Sequence, residues 1–337
     1  MRFRAAGSPG DAVSLEEVLR ICGPLLAPGS DPPLPPGLAF DSFASPGFAT
    51  ASSLTFVGPK TSLRARTGLA AALIVAETGT DIPAPETGSA TIPILRVASV
   101  HAAMAALLKA LEHRILRPHH FASGEGNRIA PTAVVEGCLQ GDVTVGPGAY
   151  VGKGSFIGSG TRIEANAVIQ GHCLIGRGCV VQSGAVIGCA GFGFFPGPAG
   201  LEAMPHPAGV EIGADCWIGA NTVVAAGVLH PTVLGLGCKL DSHVQIAHNV
   251  RLGDGCLLAS QAGIAGSTVA GHRLRMGGAA SVDGHLRLGD DVSVAACSGV
   301  TKDVPDGAVV AGFPARPLAE WRRREIALKR LGREGAA

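Results

Sequence analysis

The chain has 337 residues, a length that predicts either two domains or one long repetitive domain with attachments. Its 27 Lys and Arg residues balance 26 Asp and Glu residues, which argues against a strongly basic nucleic-acid-binding protein. Hydrophobic residues make up 47% and aromatic residues only 4%, so we expect a folded core of aliphatic and small side chains. The nine cysteines include no C-x-x-C pair, which favours reduced thiols in a cytoplasmic protein.

Residues 1–118 lack any regular repeat and predict a small α/β domain. Ser14, followed three positions later by Glu17, has the spacing of a capped helix start, and the apolar positions predict a helix over 15–21. Strands are predicted over 54–57 and 71–75, and a second helix over 97–114. No apolar run approaches the roughly 20 residues that cross a bilayer, so we predict neither a membrane segment nor a signal peptide.

The central region repeats with a period of six. An aliphatic residue recurs at this spacing in three blocks, the first of which comprises Val145, Val151, Ile157, Ile163, Ile169, Ile175, Val181 and Ile187. Neither a helix nor an alternating strand produces this period over such a length. The hexapeptide repeat predicts a left-handed parallel β-helix over residues 119–303, in which three hexapeptides form one coil of 18 residues.

Five cysteines fall four positions after an aliphatic repeat residue: Cys173, Cys179, Cys216, Cys238 and Cys256. Cys behaves as a small and readily buried side chain, so we interpret these as core residues rather than redox or metal sites.

The repeat breaks twice. Residues 188–207 form an insertion that contains Phe192 and Phe194 among glycines, and only ten residues separate Val224 from Leu234. Insertions leave such a solenoid as loops, often on its binding face, so we predict an exposed aromatic loop for a ligand or a neighbouring subunit.

Residues 304–337 form a third segment, a loop followed by a helix over 317–331. The helix carries a cluster of basic residues: Arg322, Arg323, Arg324, Lys329 and Arg330. Both a solvated helix face and a docking face for an acidic partner are compatible with this pattern.

The strongest candidate for chemistry is His248. It follows the inward-facing Ile246 by two positions, so its side chain should project outward between the polar Gln245 and Asn249. His is the side chain best suited to act as a general base near neutral pH. One coil later lies Gly266, about 4.8 Å away by strand spacing, whose unhindered N–H would suit an oxyanion.

Two further residues join this candidate site. His285 follows His248 by two coils and one residue and should lie on nearly the same edge. Asp241 is expected to hold the imidazole of His248 in one tautomer.

Several motifs resemble one family. The strings 245–249 (QIAHN) and 280–285 (ASVDGH), the loop 191–194 (GFGF) and the segment 312–317 (GFPARP) are similar to motifs of the UDP-3-O-(3-hydroxyacyl)glucosamine N-acyltransferases of lipid A biosynthesis. The resemblance implies a homotrimer that moves a 3-hydroxyacyl chain from acyl carrier protein to the 2-amino group of a UDP-3-O-acylated glucosamine. No cofactor is implied beyond the phosphopantetheine that the donor carries, and no metal.

The resemblance also implies roles for individual residues. His248 would be the general base and Gly266 an oxyanion donor, while His285 would lie in the acyl-donor groove. Phe192 and Phe194 would surround the nucleotide sugar. Gln245 and Asn249 belong to the same site, and the basic C-terminal helix would lie near the acidic carrier protein.

The sequence departs from the family pattern around the nucleotide. The segment that grips uracil in the family is here 58–61 (GPKT), in which Lys60 corresponds to a family residue while an Asn and a stacking Tyr are replaced. Phe56, two residues before this segment, also corresponds to a family residue. Gly299 lies where bulky side chains in the family close the acyl tunnel, so we expect room for a longer chain. The pattern indicates a divergent member, with a changed sugar acceptor or a non-catalytic paralogue as alternatives.

Two other hexapeptide enzymes are competing interpretations. The γ-class carbonic anhydrases hold zinc through a H-x4-H pair, and His243 and His248 have this spacing. Their third ligand has no histidine counterpart in the corresponding repeats of this chain. The O-acyltransferase that acts earlier in lipid A synthesis is the other, although it normally lacks an N-terminal uridine-binding domain.

Overall fold

The computed structural model describes residues 12–27, 34–59, 61, 69–83, 92–115 and 123–334. The chain forms two compact units. Unit 1 comprises the described residues up to 115, together with Gly193–Ala208 and Val228–His230. Unit 2 comprises the described residues of the remainder, from 123 onward. The predicted junction after residue 118 lies outside the described residues, and the segment 304–334 belongs to unit 2.

Unit 1 is built on a parallel sheet whose strands follow the order of the chain. These strands are Ser42–Ala44, Ser53–Val57, Leu73–Glu77 and Ile94–Val97. A short antiparallel pair, Val13–Ser14 with Ala39–Phe40, stands apart from this sheet. Most residues of the second and third strands are buried, as parallel strands covered on both faces require.

The helices of unit 1 begin at the caps that the sequence indicates. The hydroxyl of Ser14 accepts the N–H of Glu17 at 3.2 Å, and the helix runs over Leu15–Cys22. The second predicted helix is split into Val100–Ala110 and Glu112–Ile115. It begins three residues later than expected because Ser99 caps it by accepting the N–H of Ala102. Single 3-10 turns cover Gly23–Leu25 and Pro46–Phe48.

Unit 2 is the predicted left-handed parallel β-helix, which the structure confirms. Strands from successive coils pair in parallel at intervals of 18 residues, except where the chain leaves the repeat. Most strands are only two residues long, with one side chain inside and one outside.

Three sheets form the faces of the β-helix. The first sheet comprises Arg128–Ile129, Thr144–Val145, Arg162–Ile163, Val180–Val181, Trp217–Ile218, Lys239–Leu240, Leu257–Leu258, Arg275–Met276, Ser293–Val294, Val309–Ala311 and the antiparallel Arg316–Pro317. The second sheet comprises Val134–Val135, Tyr150–Val151, Val168–Ile169, Val186–Cys189, Val223–Ala225, Gln245–Ile246, Gly263–Ile264, Ser281–Val282 and Gly299–Val300. The third sheet comprises Cys138–Leu139, Phe156–Ile157, Cys173–Ile175, Val210–Ile212, Thr232–Leu234, Arg251–Leu252, Val269–Ala270 and Arg287–Leu288.

The interior of the β-helix is a column of aliphatic side chains with small residues at its corners. The repeat residues Ile157, Ile163 and Ile169 are fully buried. The five predicted core cysteines are buried as well. Four of them form a ladder in which each thiol donates to a glycine carbonyl of the next coil, at 3.1 to 3.5 Å: Cys179, Cys216, Cys238 and Cys256. These thiols therefore fill space in the core and donate to backbone oxygens of the neighbouring coil.

The insertion in the repeat is a β-hairpin rather than an irregular loop. Its strands Phe194–Gly197 and Gly200–Ala203 pair antiparallel. Phe195, only 5% exposed, and the buried Met204 join the core of unit 1. The second break in the repeat, after Val224, contains Val228–His230, and these residues also belong to unit 1. Both departures from the hexapeptide period are thus segments that complete unit 1.

The C-terminal helix spans Leu318–Glu334, slightly longer than predicted, and its basic residues are exposed. None of the described helices combines the length and the apolar character needed to cross a bilayer.

Candidate active site

Two grooves lie along the outer faces of the β-helix, each with a volume of about 620 Å³. The groove over the first sheet is lined by charged side chains, Lys239, Asp241 and Arg275, beside Trp217. We call the other the second-sheet groove. It runs over the outward residues Gln245, Gly263 and Ser281, with Phe192 at one end, and none of its described lining residues is charged.

His248 lies at the corner that follows the second sheet. Its side chain is half-buried beside the second-sheet groove, which its neighbour Ala247 lines. The Nδ1 atom of the ring lies 3.1 Å from Oδ1 of Asn249. An amide oxygen accepts a proton, so this contact places the hydrogen on Nδ1 and leaves the lone pair on Nε2. The imidazole is thereby held in the tautomer that a general base requires.

Asn249 is itself fixed by its backbone. Its φ of 61° is left-handed, a conformation that Asn tolerates better than most residues. Its N–H donates to the hydroxyl of the fully buried Thr232 at 2.9 Å. The side chain that orients His248 is thus anchored to the interior of the β-helix.

Gly266 lies against the ring of His248, as its position one coil later predicts. A Cβ built on this glycine would lie 2.6 Å from both Cε1 and Nε2 of the imidazole, so any side chain here would force the ring to move. The carbonyl of Gly266 accepts the N–H of His285 at 3.0 Å. Among the described residues, no protein acceptor takes the Gly266 N–H, so this donor is open to a substrate oxygen.

His285 occupies the turn position next to that of His248. It is exposed and left-handed, with φ 63°, and it continues a column formed by Asn249 and Ser267 in the two preceding coils. The structure therefore brings His248, Gly266 and His285 to one edge of the β-helix.

Asp241 does not join them, contrary to expectation. It directly follows Lys239–Leu240 of the first sheet, whereas His248 follows a strand of the second sheet, so one whole face separates the two residues. Its carboxylate accepts the N–H of Ser242 at 2.7 Å. Within this chain the orienting contact to His248 comes from Asn249 instead. The sequence offered one indication of this contact, namely that an amide residue directly follows His248.

The aromatic candidates lie in different surroundings. Phe192 is 89% exposed at the end of the second-sheet groove, whereas Phe194 belongs to the hairpin of unit 1. Phe56 is only 7% exposed and packs edge-to-face on Phe43 at 5.7 Å, so most of its ring is unavailable for stacking on a base. Lys60 lies outside the described residues.

Gly299 does not leave the open space that the sequence suggested. A Cβ built on it would overlap the ring of Phe313, which covers this glycine. Sequence reasoning missed this contact because the two residues are separated by a loop of the last coil.

His243 and His248, the pair with zinc-ligand spacing, lie at different corners of the same coil, before and after the strand Gln245–Ile246. Among the described residues, no group of three or more His, Cys, Asp or Glu side chains is arranged to hold a metal ion.

Comparison with known proteins agrees with this architecture. The family model "Bacterial transferase hexapeptide (six repeats)" matches residues 154–189. A UDP-3-O-acylglucosamine N-acyltransferase of Methylobacterium sp. (strain 4-46) is 41% identical over 145 residues, which is 43% of this chain and 41% of that protein. The protein of the same name from Caulobacter sp. (strain K31) is 40% identical over 145 residues, 43% of either chain. The resemblance deduced from the sequence is confirmed over this stretch.

The match thus spans less than half the length of these curated relatives. Solved structures of similar fold cover more of the chain. The UDP-N-acetylglucosamine O-acyltransferase of Moraxella catarrhalis RH4 has a TM-score of 0.51 and 26% identity, over 58% of this chain and 77% of that chain. The UDP-N-acetylglucosamine acyltransferase of Campylobacter jejuni has a TM-score of 0.52 and 26% identity, over 61% of this chain and 82% of that chain.

Proposed function

We propose that the protein is an N-acyltransferase. It moves a 3-hydroxyacyl chain from acyl carrier protein to the 2-amino group of a UDP-3-O-acylglucosamine, in the cytoplasm, as a step of lipid A biosynthesis. The observation that carries the proposal is the arrangement of His248, whose Nδ1 faces Asn249 while its ring lies against Gly266. The names of the relatives at 40–41% identity supply the substrate class.

The proposed reaction begins with the acceptor amine beside Nε2 of His248. As the amine nitrogen attacks the thioester carbonyl, His248 takes its proton, and the new C–N bond forms. The Gly266 N–H stabilises the negative charge on the carbonyl oxygen. The C–S bond then breaks, and the imidazolium returns the proton to the departing thiol of the carrier. The products are an amide and the free thiol of phosphopantetheine, and no further cofactor is needed.

The second-sheet groove supports this reaction because its uncharged lining suits an alkyl chain. We assign His285, exposed at the same edge, to contact with the donor arm. We assign the exposed basic face of the C-terminal helix to the acidic carrier protein. The active form is a homotrimer, in which a neighbouring copy completes the site.

An acyl-transfer assay tests the proposal. Purified protein is supplied with 3-hydroxyacyl carrier protein and UDP-3-O-acylglucosamine, and the amide product is measured by mass spectrometry. His248→Ala should lower kcat/KM by about 10²- to 10⁴-fold, the contribution of a positioned base. The matched control is His243→Asn, on the same coil, since Asn221 shows that Asn adopts this left-handed turn position in the present chain. Equal activity in the wild type and His248→Ala would refute the assignment of the base.

A second candidate is the same chemistry on a different sugar. The replacement of the Asn and the stacking Tyr in the segment 58–61 favours it, and Phe56, only 7% exposed, offers little ring surface in their place. Transfer to another nucleotide-linked amino sugar, without transfer to UDP-3-O-acylglucosamine, would identify this case. Absence of transfer to any amine would instead indicate a non-catalytic paralogue.

A further inference from the structure

The second-sheet groove has a floor of unusually small outward residues. In three consecutive coils the outward positions are Gly263, Ser281 and Gly299, paired in register across the sheet. A Cβ built on Gly263 would meet no atom within 4 Å, so the groove is open above it. Because large side chains are absent from this column, a slender apolar chain can lie along the axis of the β-helix.

The groove ends where Phe313 lies. The last described lining residues are Ser281 and Val282, and in the next coil the ring of Phe313 covers Gly299. The aromatic ring takes the volume that a side chain at position 299 would fill. It therefore forms a wall across the axial path of the groove.

Hydrogen bonds on both sides hold Phe313 in place. The N–H of Gly299 donates to the carbonyl of Gly312 at 3.0 Å, and the N–H of Ala315 donates to the carbonyl of Gly299. The N–H of Gly312 also donates to the buried hydroxyl of Ser298 at 3.0 Å. These bonds fix the backbone on both sides of Phe313, while its side chain, 84% exposed, lies outside the hydrophobic core.

We propose that Phe313 is the residue that limits the length of the acyl chain. This inference rests on the proposed function, in which an acyl chain lies in the second-sheet groove. Three strand spacings, about 14 Å, separate the coil of Ile246 from the coil of Gly299. At roughly 1.2 Å of advance per bond in an extended chain, about a dozen bonds fit before the chain meets the ring.

Phe313→Ala tests the proposal through the ratio of kcat/KM for 3-hydroxyacyl donors of graded length. The wild type should discriminate sharply above one length, and Phe313→Ala should accept chains at least two carbons longer. Each methylene that becomes buried should raise relative kcat/KM by up to about fourfold. The substitution should not unfold the protein, since the ring is exposed, and a thermal melt checks this. Leu236→Ala is the matched control, because it removes another exposed apolar side chain away from the groove.

A double variant tests whether the ring of Phe313 limits chain length by filling space or through an indirect change in the protein. In Phe313→Ala/Gly299→Leu, a side chain grows from the floor of the groove into the vacated volume, where the backbone of Gly299 permits an L-residue. Restored discrimination against long chains supports the proposal. Unchanged length ratios in Phe313→Ala overturn it.

A binding measurement distinguishes failure of this inference from failure of the proposed function. Calorimetric titration with 3-hydroxyacyl pantetheines of graded length reports on the groove even if no transfer occurs. If Phe313→Ala binds longer acyl chains than the wild type does, the result supports Phe313 as the residue that limits chain length, whether or not the protein is catalytic. If both proteins bind chains up to the same length, or if neither binds any chain, the role proposed for Phe313 is overturned.

Discussion

The imidazole of His248 occupies the space into which a side chain at Gly266, one coil later in the β-helix, would project. The Ser267 N–H donates to the His248 carbonyl at 2.9 Å, which fixes the two coils at this spacing. A Cβ on Gly266 would come within 2.6 Å of the ring. The glycine is thus needed for its lack of a side chain as well as for its N–H.

Gly266→Ala should therefore displace the His248 ring. We expect kcat to fall by about 10²-fold, since a misplacement of roughly 1 Å in a catalytic group costs about this much. The measurement is steady-state kinetics together with a thermal melt. Gly278→Ala is the control, because its Cβ would meet only the Ser260 carbonyl at 3.4 Å, an ordinary contact. Wild-type activity in Gly266→Ala would contradict the contact as described.

Asn249 should set the pH dependence of the reaction. Asn249→Asp preserves the left-handed turn, which Asp215 and Asp291 also adopt, and places a carboxylate beside Nδ1 of His248. A carboxylate stabilises the protonated imidazolium, and the base acts only when unprotonated. The acidic limb of the kcat/KM profile should therefore move to higher pH, by about one unit.

The companion variant is Asn249→Gly, which keeps the turn but removes the acceptor. It should lower kcat without the shift in pH profile. An unchanged profile in Asn249→Asp would show that this side chain does not act on His248.

Phe195 and Phe192 provide a matched pair within three positions of the insertion. Phe195→Ala should lower the free energy of unfolding of unit 1 by about 3–5 kcal/mol, because it removes a buried aromatic ring from the core. Phe192→Ala removes an exposed ring and should change stability by less than about 0.5 kcal/mol. Chemical denaturation monitored by circular dichroism measures both. Equal effects would mean that the hairpin is not part of the core.

The thiols should differ sharply in reactivity. Burial raises the pKa of Cys22 and of Cys173 to about 12, so about 10⁻⁴ of either thiol is ionised at pH 8. Cys297 is exposed. A disulfide reagent at pH 8 should therefore label Cys297 first, and Cys297→Ser should abolish this fast phase. The half-buried Cys189, whose pKa is raised by burial, should react more slowly. The buried thiols should react only after unfolding, and rapid labelling of several thiols in the native protein would contradict the burial.

The β-helix was predictable from the sequence because its cause is local. Every sixth residue must point into a narrow interior, so the period itself determines the coil and the faces. The insertion was visible as a break in the period, but its structure was not. Phe195 and Met204 are buried by residues of unit 1 that lie far away in the chain.

The edge of the β-helix on which the candidate site lies was also predictable from the period. A coil of 18 residues places Gly266 above His248 and brings His285 to the next turn position. The error over Asp241 arose because proximity in sequence was taken for proximity in space. One side of the coil takes six residues, so two residues that are seven apart lie at opposite ends of a face, as Asp241 and His248 do.

Spacing along the chain was enough to predict the repeating backbone and the residues that share an edge, because both follow from the period. The contacts between side chains are known only from the folded chain. It pairs Nδ1 of His248 with Asn249 and seats Phe313 on Gly299. These contacts depend on the direction of each side chain at a turn and on a loop that returns to an earlier coil. The six-residue period carries no information about either.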